Sequence, residues 1–90
     1  MEMTVYDYEG IKIEYEKIDP EDKDAARKKT SYMFGKIREK SGMSRPDFAK
    51  WLGVPYRTMQ EWERGRRVMP EYVLRLIAYK VYNAQEKGKI

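Results

Sequence analysis

Apolar and polar residues alternate on both sides of Glu9-Gly10: Thr4, Tyr6 and Tyr8 precede it, and Ile11, Ile13 and Tyr15 come after. A period of two marks a half-buried strand. A two-residue turn at Glu9-Gly10 pairs Tyr8 with Ile11, Tyr6 with Ile13 and Thr4 with Tyr15 on one face. The other face then sets Asp7 across from Lys12. Residues 1–18 are therefore expected to form a β-hairpin arm ahead of a helical domain over 19–90. A lone two-stranded hairpin is marginal in water. It must lie on the helical domain, pair with a second subunit or fold onto a partner.

From Asp19 onward the pattern is helical. Asp19 suits an N-cap, Pro20 the first helical position, and Glu21 and Asp22 the positive end of a helix dipole. A helix is expected over 20–40, with a break near Thr30 as an alternative. Ser41-Gly42, Gly53-Val54-Pro55 and the stretch from Gly65 to Pro70 interrupt the remainder of the chain. They leave helices near 45–52, 56–64 and 70–85. Leu74, Ile77, Ala78 and Val81 repeat at i, i+3, i+4, i+7. With them the core is expected to hold Met33, Phe34, Ile37, Met43, Phe48, Ala49, Leu52, Val54, Met59, Trp62 and Val73.

Charge changes this picture. The net charge of +4 hides a division: residues 1–24 carry nine acids against three lysines, a net of −6, and the rest carries 16 basic and 6 acidic residues, a net of +10. A field of that sign attracts polyanions, although a solvated helical surface has the same composition. The chain has neither cysteine nor histidine. That removes the commonest zinc ligands, thiol nucleophiles and imidazole bases, so no metal and no cofactor is expected. No convergent acid and base emerge from the spacing, and an enzyme is not expected. No apolar run approaches the roughly 20 residues that cross a bilayer, and the acidic start is unlike a signal peptide. A cytoplasmic protein without a membrane partner is the expectation.

The densest local information lies between Gly42 and Gly65. Ser44 and Asp47 stand at capping-box spacing, with Pro46 in the first turn, so a helix of only two turns starts there. Ala49 sits where two helices must cross closely. Gly53 comes directly after Leu52, where a left-handed residue reverses the chain, and Val54 plugs the turn. Met59 and Trp62 recur at i, i+3 on the inner side of the next helix. The alanine five residues after the cap, the glycine and apolar residue of the turn, and the Trp62-Glu63-Arg64-Gly65 ending together resemble the Cro and phage-repressor family, also called the Xre family. The resemblance covers about residues 31–81. It implies a mainly α fold, a repressor-like helix-turn-helix domain of four to five helices behind the N-terminal β-hairpin arm.

The resemblance also implies roles. The second helix of the motif would enter the major groove of double-stranded DNA and read base edges with Tyr56, Arg57, Gln60 and Glu61. Ser44, Arg45, Thr58, Arg64, Arg66 and Arg67 would bind phosphates, which holds register and gives salt-dependent affinity. Arg45 is alternatively placed to brace Arg57. Arg38 and Glu63 match a partly buried ion pair between the first helix and the reading helix. Two positions depart from the family pattern: Pro55 replaces the usual capping serine or threonine, and Arg45 replaces a frequent glutamine. The implied function is sequence-specific transcription regulation, with repression expected, by a homodimer on a palindromic operator. The alternative is an antitoxin-type regulator whose acidic arm captures a basic partner protein such as a toxin.

Overall fold

The computed structural model describes residues 2–90: two strands and then four helices. Met1, counted in the expected arm, lies outside the described residues. Strands β1 (Met3–Tyr8) and β2 (Ile11–Glu16) pair antiparallel in the register Tyr8–Ile11, Tyr6–Ile13 and Thr4–Tyr15, with Asp7 opposite Lys12. Glu9 and Gly10 both have positive φ, 53° and 104°, the combination that matches the twist of a two-residue hairpin. The Gly10 N–H donates to Asp7 Oδ1 at 2.9 Å. A Cβ there would also lie 2.9 Å from the Tyr82 ring, which would have to shift to admit it. At the open end the Lys17 N–H donates to the Glu2 carbonyl at 2.7 Å.

The hairpin lies on the helical part of the molecule, with β1 against the last helix, α4 (Glu71–Glu86), and β2 against the first, α1 (Lys23–Ser41). Tyr8, Ile11 and Ile13 are buried in the same core as the helices, with Tyr6 and Tyr15 packed at its edge. Cations cover the seam: Lys29 Nζ stands 4.4 Å from the centre of the Tyr6 ring, and the Arg75 guanidinium 5.0 Å from that of Tyr8. Such contacts let a long basic side chain shield an aromatic ring while its charge stays near water. Burial, and then the neighbouring Glu71 carboxylate, pushes the Tyr8 phenol well above the ordinary tyrosine range.

Helix α1 starts three residues later than the sequence suggests. Asp22 is its N-cap, accepting from the N–H groups of Asp24 and Ala25 at 3.2 and 3.1 Å. Asp19 instead accepts from the Glu21 N–H, and its carbonyl from the Asp22 N–H, forming a separate turn around Pro20. Both aspartates have a good capping side chain; the turn takes the first and leaves the helix the second. There is no break at Thr30, whose hydroxyl donates back to the Ala26 carbonyl within a continuous helix.

Helix α2 (Arg45–Leu52) begins at Ser44, whose Oγ accepts from the Asp47 N–H at 3.3 Å. It stops at Gly53, φ 77°, where the N–H groups of Gly53 and Val54 turn back to the carbonyls of Lys50 and Ala49. That closure satisfies two carbonyls left over at the helix end. Helix α3 (Tyr56–Glu63) comes next, ended by Arg66 and Gly65 N–H groups donating to the Glu61 and Trp62 carbonyls. Helix α4 begins after Pro70.

Phe34 is the hub of the core, with ring centres 5.7 Å from Phe48 and 5.9 Å from Trp62. Removing such a ring from water stabilises the fold by about 1.5–3 kcal/mol. Met33, Ile37, Ala49, Met59, Leu74, Ile77, Ala78 and Val81 are buried with it. Met43, Leu52, Val54, Trp62 and Val73, expected inside, are only partly covered and ring the core. Met69, just before α4, is buried, and no periodic pattern announces it.

Candidate nucleic-acid interface

The outer side of α3 is dictated by its inner one. Met59 is fully buried and Trp62 packs on Phe34; with 3.6 residues per turn, that leaves Arg57, Gln60 and Glu61 to the other side, while Tyr56, three residues before Met59, is in line with the inner side and open only as the first residue of the helix. Tyr56 is 42% exposed and the Arg57 side chain 92%. Arg57, Gln60, Glu61, Arg64 and Arg66 line one polar hollow of about 310 Å³. Arg45, Gln60, Glu63 and Arg64 line a smaller one of about 180 Å³. Gln60 and Arg64 thus join the two. Tyr56, Ser44 and Thr58 line neither hollow, and Thr58 is half-buried.

Glu61 is held between two arginines of this face, 3.6 Å from Arg57 Nε and 3.5 Å from Arg67 Nε. Those distances exceed a well-formed charge-assisted hydrogen bond, and the groups stay wet. Pro55 caps α3 without any side-chain acceptor, so the first N–H groups of the helix have none of the usual hydroxyl cover.

Glu63 points the opposite way. Its Oε1 accepts from Arg38 Nε at 3.0 Å and its Oε2 from Arg45 Nε at 3.0 Å, with the Glu63 and Arg38 side chains 11% and 18% exposed. Arg38 also donates to the Met43 carbonyl at 3.0 Å. Ser31 donates to the Glu63 backbone carbonyl. Gly35 brings α1 so close that a Cβ there would lie 3.4 Å from Glu63 Oε1. Four residues of α1 and α2 therefore converge on one glutamate at the end of α3. Arg45 is committed to Glu63 rather than bracing Arg57, because its position at the start of α2 faces the end of α3.

No family model, no curated protein and no solved structure matches this chain. What the face does must be read from its own residues.

The basic surface also extends further than the sequence suggests. Arg27, Lys28 and Lys36 of α1 share a cleft of about 640 Å³ with Arg64 and Gly65. Arg27 and Lys28 are paired with Asp24, and Lys36 with Glu39, all at exposed positions. Their spacing in α1 resembles any solvated helix, and only the fold brings them beside the end of α3. Among the described residues no group of three or more acidic side chains is placed to hold a metal ion, and no helix is long and apolar enough to cross a membrane.

Proposed function

We propose that the chain is a sequence-specific DNA-binding transcription regulator, with α2 and α3 as a helix-turn-helix and α3 lying in the major groove. The observation that carries this is the division of α3: an inner side fixed by Met59, Trp62 and Glu63, and an outer side of Arg57, Gln60 and Glu61 edged by Arg64, Arg66 and Arg67, with Tyr56 exposed at the helix start. A rigid helix presenting an arginine and a glutamine beside arginines for the backbone fits major-groove reading. Arg57 suits guanine, Gln60 adenine, and Glu61 cytosine once Arg57 turns to its base and Arg67 to a phosphate. A homodimer on a palindromic operator, acting as a repressor, is the form proposed. Selection of genomic fragments by the purified protein tests the reading: an inverted repeat should be enriched, with affinity falling steeply with salt. Arg57→Ala should abolish that enrichment while leaving stability within about 0.5 kcal/mol. Recovery of random fragments alone would overturn the proposal.

A second role rests on the outward side of the hairpin. Exposed Met3 and Val5 stand there opposite Glu16 and Glu14, an apolar and acidic strip suited to a basic partner such as a toxin. Val5→Lys with Glu14→Lys should abolish capture of a basic neighbouring gene product and leave operator binding intact. Retained capture would exclude this face.

A further inference from the structure

Helix α4 buries Leu74, Ile77, Ala78 and Val81, and its opposite side is far from polar. Tyr72, Leu76 and Tyr79 are 68%, 63% and 56% exposed. At i, i+4 and i+7 they form one stripe. Single exposed apolar residues are normal on a surface; a continuous row of large ones is a mark of an interface. The stripe runs into a shallow cleft of about 400 Å³ at the hairpin turn, lined by Glu9, Tyr72, Arg75, Leu76 and Tyr79.

We infer that this stripe is the face on which a second copy of the chain docks, with α4 antiparallel to its twin and the twofold axis at Leu76. The stripe is nearly its own mirror along the helix: Tyr72 lies about 6 Å before Leu76 and Tyr79 about 4.5 Å after it. An axis through Leu76 therefore sets Tyr72 of one copy on Tyr79 of the other, the self-complementarity that a twofold contact demands. Charge does not oppose it. Arg75 beside the stripe is paired with Glu71 at 3.6 Å and donates to the Asp7 carbonyl at 3.2 Å. Lys80 is drawn over the Trp51 ring at 4.6 Å. With a fully exposed tyrosine offering about 200 Å² and these side chains 56–68% exposed, the six of the pair cover roughly 700 Å². The stems of Arg75 and Lys80 and the hairpin turn bring this to about 1,000 Å², the threshold of a specific interface. An area of that size fits a weak, reversible dimer. A nucleic acid is a poor occupant of a stripe made of three large apolar side chains, beside a cleft that also holds Glu9.

The purpose of such a dimer rests on the DNA-binding reading, since it doubles α3, but the contact is measured without DNA. Sedimentation equilibrium of the full chain from about 1 µM to 1 mM should show a monomer–dimer equilibrium. Leu76→Glu, at a position exposed enough to leave folding intact, should weaken it more than about thirtyfold with an unchanged melting curve. The chain has no cysteine, so Leu76→Cys should cross-link to itself on mild oxidation. Tyr72→Cys and Tyr79→Cys should cross-link only when mixed. A chain that stays monomeric throughout would overturn the inference and leave the stripe to a different partner. So would a dimer indifferent to Leu76→Glu, or efficient self-cross-linking by Tyr72→Cys alone. Failure of the DNA-binding reading would appear in the fragment selection and would leave these measurements unaffected.

Discussion

Glu61 and Glu63 stand two residues apart at the end of α3, each between two arginines, yet their surroundings have little in common. Two residues turn a helix by about 200°, so one carboxylate faces solvent and the other faces α1. Glu63 is 11% exposed and takes hydrogen bonds of 3.0 Å from Arg38 and Arg45. Glu61 is 29% exposed and lies 3.6 and 3.5 Å from Arg57 and Arg67, side chains that are 92% and 54% exposed. Residue types are the same in both clusters; burial separates them. A charge taken from water depends on its partners, and losing one leaves another stranded. A wet pair contributes little and is readily exchanged for other ligands. The inner cluster suits a lock, and the outer one suits a surface that must change partners.

Glu63→Ala should therefore have the largest effect on stability. It leaves Arg38 mostly buried with only the Met43 carbonyl, and removes the point where α1, α2 and α3 meet. A loss of about 3 kcal/mol is expected in urea denaturation, which at about 4–8 °C per kcal/mol is a large fall in melting temperature for a domain of this size. A change below about 0.5 kcal/mol would make the two glutamates equivalent and end the distinction. Within the inner cluster the arginines should differ too. Arg38 is 18% exposed and holds both Glu63 and the Met43 carbonyl, so Arg38→Ala should cost about 2 kcal/mol. Arg45 is 55% exposed, so solvent screens its pair and Arg45→Ala should cost less than about 1 kcal/mol. Equal losses would show the lock to be a surface pairing, whatever its distances.

The glutamates also show how much of the molecule is legible in the sequence. Local chemistry is readable: the hairpin register comes from period two around a positive-φ turn, and α2 from Ser44, Pro46 and Gly53. The helix start at Asp22 is not, because Asp19-Pro20 offers an equally good local signal and only the turn it forms decides between them. Arg38 beside Glu63 is expected from a resemblance. The second arginine, Arg45, is not, since no local periodicity links positions 18 residues apart. Docking of the hairpin is undetermined by local pattern for the same reason. Tyr8 suits a core and a wet edge equally until α1 and α4 cover it. Deleting residues 1–18 would thus strip Tyr8, Ile11 and Ile13 from the core, and substitutions on the outward side are the cleaner probe of the hairpin. The face of α3 is legible as a set of residues, and Arg57 with Glu61 as an i, i+4 pair, but the second partner, Arg67, lies beyond the helix end and is not.

Glu61→Gln should move stability least, and its expected effect lies in binding. The pair contacts are wet and long, so the change should stay within about 0.5 kcal/mol. Under the proposed DNA-binding function the sign reverses the usual effect of a loss. Freed from the carboxylate, Arg57 and Arg67 meet phosphates without first giving up a partner, and the face gains one unit of positive charge. Binding to random duplex should tighten, and the slope of log affinity against log salt should steepen by about 0.9 for each phosphate gained. Discrimination between operator and random DNA should fall, because a carboxylate that repels phosphate and accepts from cytosine opposes wrong sites more than right ones. Unchanged affinity and salt slope would mean that Glu61 restrains nothing, leaving Arg57 free to read DNA unaided. A loss of all binding would place Glu61 beside Glu63 as part of the scaffold.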